Sequence, residues 1–263
     1  KALSEMAIAI TGGDLSPKLN GRNIEMWKVL RVSEGDILHF SKLKSGCRAY
    51  VTVSGGIDVQ DVLGSKSTFL RGNMGGYKGR ALQKRDVIKV GDKGMLPSRL
   101  EGRKAAPPLI RDFGKTFHIR AVRGLEDFLF ADESLKVFFS SEWKVTSLAD
   151  RMGVRYKGPQ LNFKPRDKIV DHEGGADPSN ILNECIPTGG IQVVSSRDPI
   201  VLAVDGPSTG GYVKLGTVIS CDLSLIAQSK QGDSTFFKEV SLGEAIQALR
   251  EEEAVFRKEL VIV

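Results

Sequence analysis

At 263 residues, with 41% hydrophobic and 27% charged side chains, the chain has the make-up of a soluble globular protein with room for one large or two modest cores. No apolar run approaches the roughly 20 residues of a membrane span, and the opening KALSEMAIAITGGD lacks the layout of a secretory signal. Lys and Arg (38) exceed Asp and Glu (32) by a net +6 spread along the chain, with no concentrated basic face or reading motif, which argues against nucleic acid and for small anionic ligands or simple solubility.

Short apolar runs recur between turn signals, the pattern of a mainly β protein. Strands are expected at residues 6–11, 25–32, 36–40, 48–53 and 86–90, then at 115–121, 191–194, 200–204 and 212–219. LNGR around Gly21 and VSEGD around Gly35 predict hairpins. GDKGMLPSRLEGRKAAPP, rich in Gly, Pro and charge, reads as a connector. It divides the chain into a β-rich part at 1–95, a linker at 96–108 and a second β-rich part at 109–263.

Helices are few. ADESLKVFFSSEW starts one, capped by Asp132 or Ser134, and DLSLIAQS after Asp222 is a second, short one. SLGEAIQALREEEAVFRKEL is the clearest, with Ser241 and Glu244 forming a capping box worth about 1 kcal/mol. Its stripe of Leu242, Ile246, Leu249 and Phe256 is expected to pack on the second β part.

Cys47, Cys185 and Cys221 stand apart, each beside small or apolar neighbours, and are expected to be buried, reduced thiols in a cytoplasmic protein. His39, His118 and His172 show no metal-ligand spacing, and His172 beside Glu173 is ordinary loop chemistry, so no metal is expected.

Four glycine-marked polar stretches hold the candidate chemistry. VDGPSTGGYVKLGTVIS contains Gly206 and Gly211 at phosphate-loop spacing, but Tyr212 stands where the lysine should be, Lys214 comes two residues later, and a strand follows instead of a helix. The phosphate-loop reading fails. VSGGIDVQDVLGSKSTFLRGNMGGYKGR sets hydroxyls (Ser65, Ser67, Thr68) near cations (Lys66, Arg71, Lys78, Arg80), groups suited to carboxylate or phosphate oxygens. In VTSLADRMGVRYKGP, Asp150 beside Arg151 suggests a structural ion pair. In DHEGGADPSNIL, Asp177-Pro-Ser-Asn suggests a turn with side-chain caps, although Glu173, Asp177 and Asn180 could also bind substrate.

In that order and spacing, SGGIDV…STFLR…GG…GRAL, DRMGVRY, GGADPSNIL, PTGGIQV and DGPSTGGYVKLGTVIS resemble the carboxyltransferase A/B-subdomain family. Its members include the C-type subunit of bacterial 5-oxoprolinase, proteins labelled allophanate hydrolase subunit 2, and the carboxyltransferase region of urea carboxylase. The resemblance implies two barrel-like, cyclophilin-like β subdomains with a few short helices and a C-terminal helix. Relatives usually start several tens of residues earlier, so an N-terminal segment is expected to be missing from the first part.

The resemblance also implies a subunit of an ATP-dependent amide-processing enzyme. Its first choice is 5-oxoprolinase, opening 5-oxoproline to glutamate with a companion protein bearing C/D-type subdomains and a LamB-type subunit. The alternatives are a carboxyltransferase taking CO2 from carboxybiotin on a biotin-carrier partner to urea or a related amide, and a regulatory subunit bound to a sensor kinase. The closing loop mixes the D-G-P-S of the carboxylases with the G-G-Y-x-K of the oxoprolinases. By resemblance, Lys214, Arg71 and Asp205 would be catalytic. Ser208, Thr209, Gly210, Gly211 and Tyr212 would hold the amide, with Ser65, Ser67 and Thr68 lining a facing wall.

Overall fold

A computed structural model describes residues 1–92, 94–165, 177–194 and 198–259. Two compact units emerge, one formed by Lys1–Lys44 and Ala49–Ile110, the other by Ser45–Arg48 and Arg111–Val263.

The first unit carries β1 (Met6–Asp14), β2 (Pro17–Leu19), β3 (Arg22–Asn23), β4 (Val29–Val32), β5 (Leu38–Phe40), the later part of β6 (Ser45–Val53) and the one-turn helix α1 (Pro97–Leu100). The strands make two small sheets, β4-β1-β6 and β3-β2-β5. The core is modest: Ile8, Ile10 and Val32, ringed by half-buried residues such as Leu19, Leu38 and Phe40.

The Gly21 hairpin forms as expected. Asn20 and Gly21 both take positive φ (50° and 79°), the two-residue turn whose twist matches its flanking strands, and Leu19 pairs with Arg22. VSEGD makes a turn, closed by the Asp36 N–H donating to the Ser33 carbonyl at 3.2 Å, but no hairpin. Here β4 pairs with β1 while β5 pairs with β2, so the turn passes the chain from one sheet to the other. A glycine turn reverses the chain without choosing its partner.

Two expected strands are shortened or lost. The run at 25–32 becomes a strand only from Val29, because Trp27 adopts φ 61°. At 86–90 only Val90 forms a bridge, to Ile57, and Asp86 is engaged instead by Arg80 at 2.7 Å. The Arg80 guanidinium, and then the Gln83 N–H, hold the Asp86 carboxyl well below the usual carboxylate range. Residues 96–108 contain α1 and are hydrogen-bonded along 27–29, as in Val29 N–H to Arg103 carbonyl (2.8 Å) and Ala105 N–H to Trp27 carbonyl (2.9 Å).

The second unit adds β7 (Thr116–Arg123), α2 (Asp132–Ser140), β8 (Glu142–Ala149), β9 (Gly153–Lys157), β10 (Asn180–Cys185), β11 (Gly190–Val194) and β12 (Asp198–Leu202). Then come β13 (Thr209–Tyr212), β14 (Lys214–Val218), α3 (Leu223–Gln228), β15 (Ser234–Glu239) and α4 (Leu242–Glu259). Seven strands close into a barrel in the order β11-β12-β9-β8-β15-β7-β14, all pairs antiparallel except β15 with β7. β10 and β13 form a separate two-stranded ribbon. Alternation sends Phe117, Ile119 and Ala121 of β7 inward with Trp143, Tyr156, Val193, Leu215 and Phe237. Phe138 of α2 plugs this core, stacking on Phe237 at 4.7 Å and accepting the Trp143 indole N–H at its carbonyl.

Several expectations in this unit are corrected. α2 is preceded by Ala131 with no side-chain cap: Asp132 pairs with Lys164 at 2.8 Å, and the Ser134 hydroxyl accepts the Asn162 N–H. The capping box of α4 is present, with Ser241 N–H to Glu244 at 2.7 Å and Glu244 N–H to the Ser241 hydroxyl at 3.2 Å. Its apolar stripe does not pack on the barrel. Leu242 is 64% exposed, Ile246 42% and Phe256 46%, while Ala245 and Ala248 make the contact with Ile219, Cys221 and Val240. The apolar stripe is offset around the helix from the alanines that touch the barrel.

Of the free cysteines, Cys221 is buried and Cys47 half-buried, but Cys185 is exposed because β10 lies outside the barrel wall. The Asp177 turn is capped as expected, its carboxylate accepting from Ser179 N–H at 2.9 Å. His172, Glu173 and the glycines that follow lie outside the described residues. Among the described residues no helix is long and apolar enough to cross a membrane.

Gly158 follows β9 where a Cβ would stand 2.5 Å from the Trp143 ring. Trp143 is fully buried and cannot step aside cheaply. Gly158→Ala is expected to cost about 1–3 kcal/mol, read as a lower urea midpoint at unchanged slope. An unchanged midpoint would contradict this packing.

Candidate functional site

Lys214 is the first residue of β14 and is almost wholly buried. A regular strand would turn Lys214 and Leu215 to opposite faces, yet both are buried. The β11–β14 register explains it: Ile191 pairs with Gly216 and Gln192 with Lys214, so Leu215 is the extra residue of a bulge. The bulge breaks the alternation at the lysine.

A buried ammonium needs counter-charge. Its Nζ lies 2.8 Å from Glu184 Oε2 on β10 and 3.2 Å from Glu126 Oε2, just before the turn Asp127–Leu129. The same Glu126 oxygen accepts the Lys214 backbone N–H at 3.0 Å. Neither ion pair is aligned as a hydrogen bond among the described residues, so the contact is one of charge at ion-pair distance. Gln192, also buried, lies across from Lys214 on β11.

The glycine pair is what lets the ribbon close. A Cβ at Gly211 would stand 2.9 Å from the Ile181 carbonyl oxygen, and one at Gly210 would stand 2.7 Å from Ile186 Cδ1 and 3.1 Å from Gln192 Nε2. Only bare backbone lets β13 lie against β10 here, with Gly210 opposite Glu184. The close approach is therefore to β10. Tyr212, Ser208 and Thr209 are exposed, and the Ser208 carbonyl accepts the Ile186 N–H at 2.9 Å.

Asp205 is held by Arg151 in a two-pronged pair, Nε to Oδ2 at 2.6 Å and Nη2 to Oδ1 at 2.9 Å. The expected Asp150–Arg151 pair gives way to this one. Asp150 instead accepts the Met152 N–H at 2.7 Å.

Ser65, Ser67, Thr68 and Arg71 belong to the first unit, in a chain of tight turns. Ser67 N–H donates to the Ser65 hydroxyl at 3.1 Å, and paired backbone bonds between Phe69 and Met74 enclose an exposed Arg71. Thr68 packs so closely on Gly76 that a Cβ there would collide with its hydroxyl. Thus Lys214, Asp205 and residues 208–212 share one unit, and the serines, Thr68 and Arg71 share the other. Glu126, Glu184 and Gln192 were not singled out by sequence, since 88 residues separate Glu126 from Lys214 and no spacing rule links them.

Lys214→Met leaves the Glu126 carboxylate largely buried beside an apolar chain, and is expected to cost about 3 kcal/mol. Adding Glu126→Gln keeps an acceptor for the Lys214-position N–H and should recover most of that loss in denaturant titrations. No recovery would show that the pair is not the source of the cost.

Residues 1–239 match the model of the family described as carboxyltransferase domain, subdomain A and B. Urea amidolyase of Lachancea kluyveri is 38% identical over 262 residues, covering 95% of this chain and 14% of that protein. The C-type 5-oxoprolinase subunit of Haemophilus influenzae is 32% identical, covering 95% of this chain and 74% of that protein. The crystal structure of the K. lactis urea amidolyase superposes with a TM-score of 0.87 at 33% identity, covering 96% of this chain and 16% of that one. These relatives are enzymes or enzyme subunits, and the chain spans only a small part of the longer ones. Sequence and fold agree, and the chain belongs to the carboxyltransferase domain family, subdomains A and B.

Proposed function

We propose that this chain is the A/B part of an enzyme that transfers a carboxyl group to a nitrogen of a neutral, planar amide of the urea class. The observation that carries the reading is the buried ammonium of Lys214 set between two carboxylates. An amide oxygen would accept from the Lys214 ammonium, and amide N–H groups would donate to Glu184, whose side chain reaches solvent. Two carboxylates around one cation disfavour a substrate that brings its own negative charge, as 5-oxoproline does. The 38% identity to a urea amidolyase supports the same choice.

Carboxybiotin, carried by a companion segment, would supply the activated carboxyl group when bound. ATP does not fit the VDGPSTGGYVK loop, because β13 and β14 offer no helix N-terminus to phosphate. Its use belongs to the companion part of the enzyme. In this scheme Asp205, clamped by Arg151, positions the loop before β13. Ser208, Thr209 and Tyr212 orient substrate from the exposed strand. Arg71 with Ser65, Ser67 and Thr68 supplies a second set of polar groups for carboxylate oxygens.

A second reading, the C-type subunit of a 5-oxoprolinase, is favoured by the chain's covering 74% of such a protein. The assay separates them. The full-length enzyme, or this chain with its companion subunits, is given ATP and bicarbonate with urea, or ATP with 5-oxoproline. Urea carboxylation is expected, and Lys214→Met should lower kcat/KM by about 100-fold or more. Glutamate release without carboxylation would overturn the first reading, and full activity of Lys214→Met would remove the lysine from the site.

A further inference from the structure

The chain passes between its two units at two places, through the short segment Ser45–Arg48 and again at Arg111. Ser45–Arg48 opens β6 inside the second unit, and the rest of that strand belongs to the first. Its backbone is met by a side chain, that of the buried Gln228 at the end of α3. Gln228 Oε1 accepts the Cys47 and Arg48 N–H groups, both at 2.9 Å, and its Nε2 donates to the Arg48 carbonyl at 2.8 Å. The Arg48 guanidinium donates to the Ala227 carbonyl, and the Cys47 thiol lies 3.4 Å from that same oxygen.

The second passage is fastened to the same place. Arg111 Nη1 donates to the Cys221 carbonyl at 2.7 Å and to the Ser224 hydroxyl at 3.1 Å, and Nη2 pairs with Glu252 of α4. Cys221 sits in the single turn Ser220–Asp222 that leads directly into α3. The barrel holds this turn in its place. The buried Asp222 carboxylate accepts the Arg120 backbone N–H at 2.8 Å and its guanidinium at 2.7 and 2.9 Å. Residues 220–228 therefore grip both passages and are themselves gripped by β7.

An amide that satisfies three backbone groups, and a guanidinium shared among three acceptors, leave several buried partners unmet if either lets go. Both act through one six-residue helix, too short to keep its form without its neighbours. We propose that α3 and its leading turn form a clasp, which fixes both passages when closed and releases both together when it opens, while the barrel stays folded. None of its residues belongs to the Lys214 cluster.

Each grip has its own thiol. Cys47 is half-buried against the Ala227 carbonyl, and Cys221 is buried where its carbonyl takes Arg111. Burial pushes both thiols above their usual range, so both react slowly while the clasp is shut. The full chain carrying Cys185→Ser, which removes the exposed thiol, is labelled with iodoacetamide in rising urea, each site being quantified by peptide mass spectrometry. Cys47 and Cys221 are expected to become reactive together, below the main unfolding transition seen by circular dichroism. Without urea, Gln228→Leu should speed labelling of Cys221 about tenfold, and Arg111→Gln that of Cys47, each acting at the other grip. Gln228→Glu keeps the acceptor and should fall between. The titration leaves the clasp unaltered, so it stands even where a variant fails to fold. Three results would overturn the proposal: thiols that open at different urea concentrations, thiols that open only with the main transition, or substitutions that speed only the thiol at their own grip.

Discussion

An ammonium group cannot leave water without counter-charge, and the second unit is organised around meeting that demand at Lys214. A bulge in β14 breaks the alternation at this residue, and Glu126 commits one carboxylate oxygen to both its backbone and its charge. Glu184 arrives on a strand outside the barrel, brought close only because β13 opposes it with glycine. Barrel closure, the β10–β13 ribbon and the buried ion cluster are thus mutually dependent. If the ribbon separates, the ammonium loses one of its two carboxylates.

The same cluster links packing to chemistry. Three charges lie within a few ångströms, yet the ammonium makes no aligned hydrogen bond to either carboxylate among the described residues. Such a group is costly at rest and well placed to stabilise charge that develops nearby. The barrel core itself is aromatic, with Phe138, Trp143, Tyr156 and Phe237 in contact. Burial pushes the Tyr156 hydroxyl well above its usual range. The first unit is built differently. Its core is small, and much of its order comes from turns, ion pairs and left-handed residues such as Asn20, Trp27, Asn73 and Lys78.

Local chemistry was legible wherever the stabilising partner lies a few residues away. Asn20-Gly21 named its hairpin, Ser241 and Glu244 named their capping box, and Asp177 named its turn. Lys214 could be singled out through the order of five glycine-marked motifs, but not its counter-ions. Glu184 in NILNEC and Glu126 in GLEDF have no local pattern to mark them. Asp205, catalytic by resemblance, is clamped by Arg151, which lies 54 residues away and carries no local mark as its partner.

By itself, then, the sequence determined a strand-rich chain with few helices, its tight turns and caps, and the family to which it belongs. Only the tertiary structure decided which strands pair, as when β4 joins β1 and β5 joins β2 across a turn that promised a hairpin. It also decided which face of α4 meets the barrel, and which carboxylates reach Lys214. The physical reason is range: turns and caps are settled by neighbours along the chain. Strand partners and counter-ions are chosen by burial and charge among residues that only the closed barrel brings together.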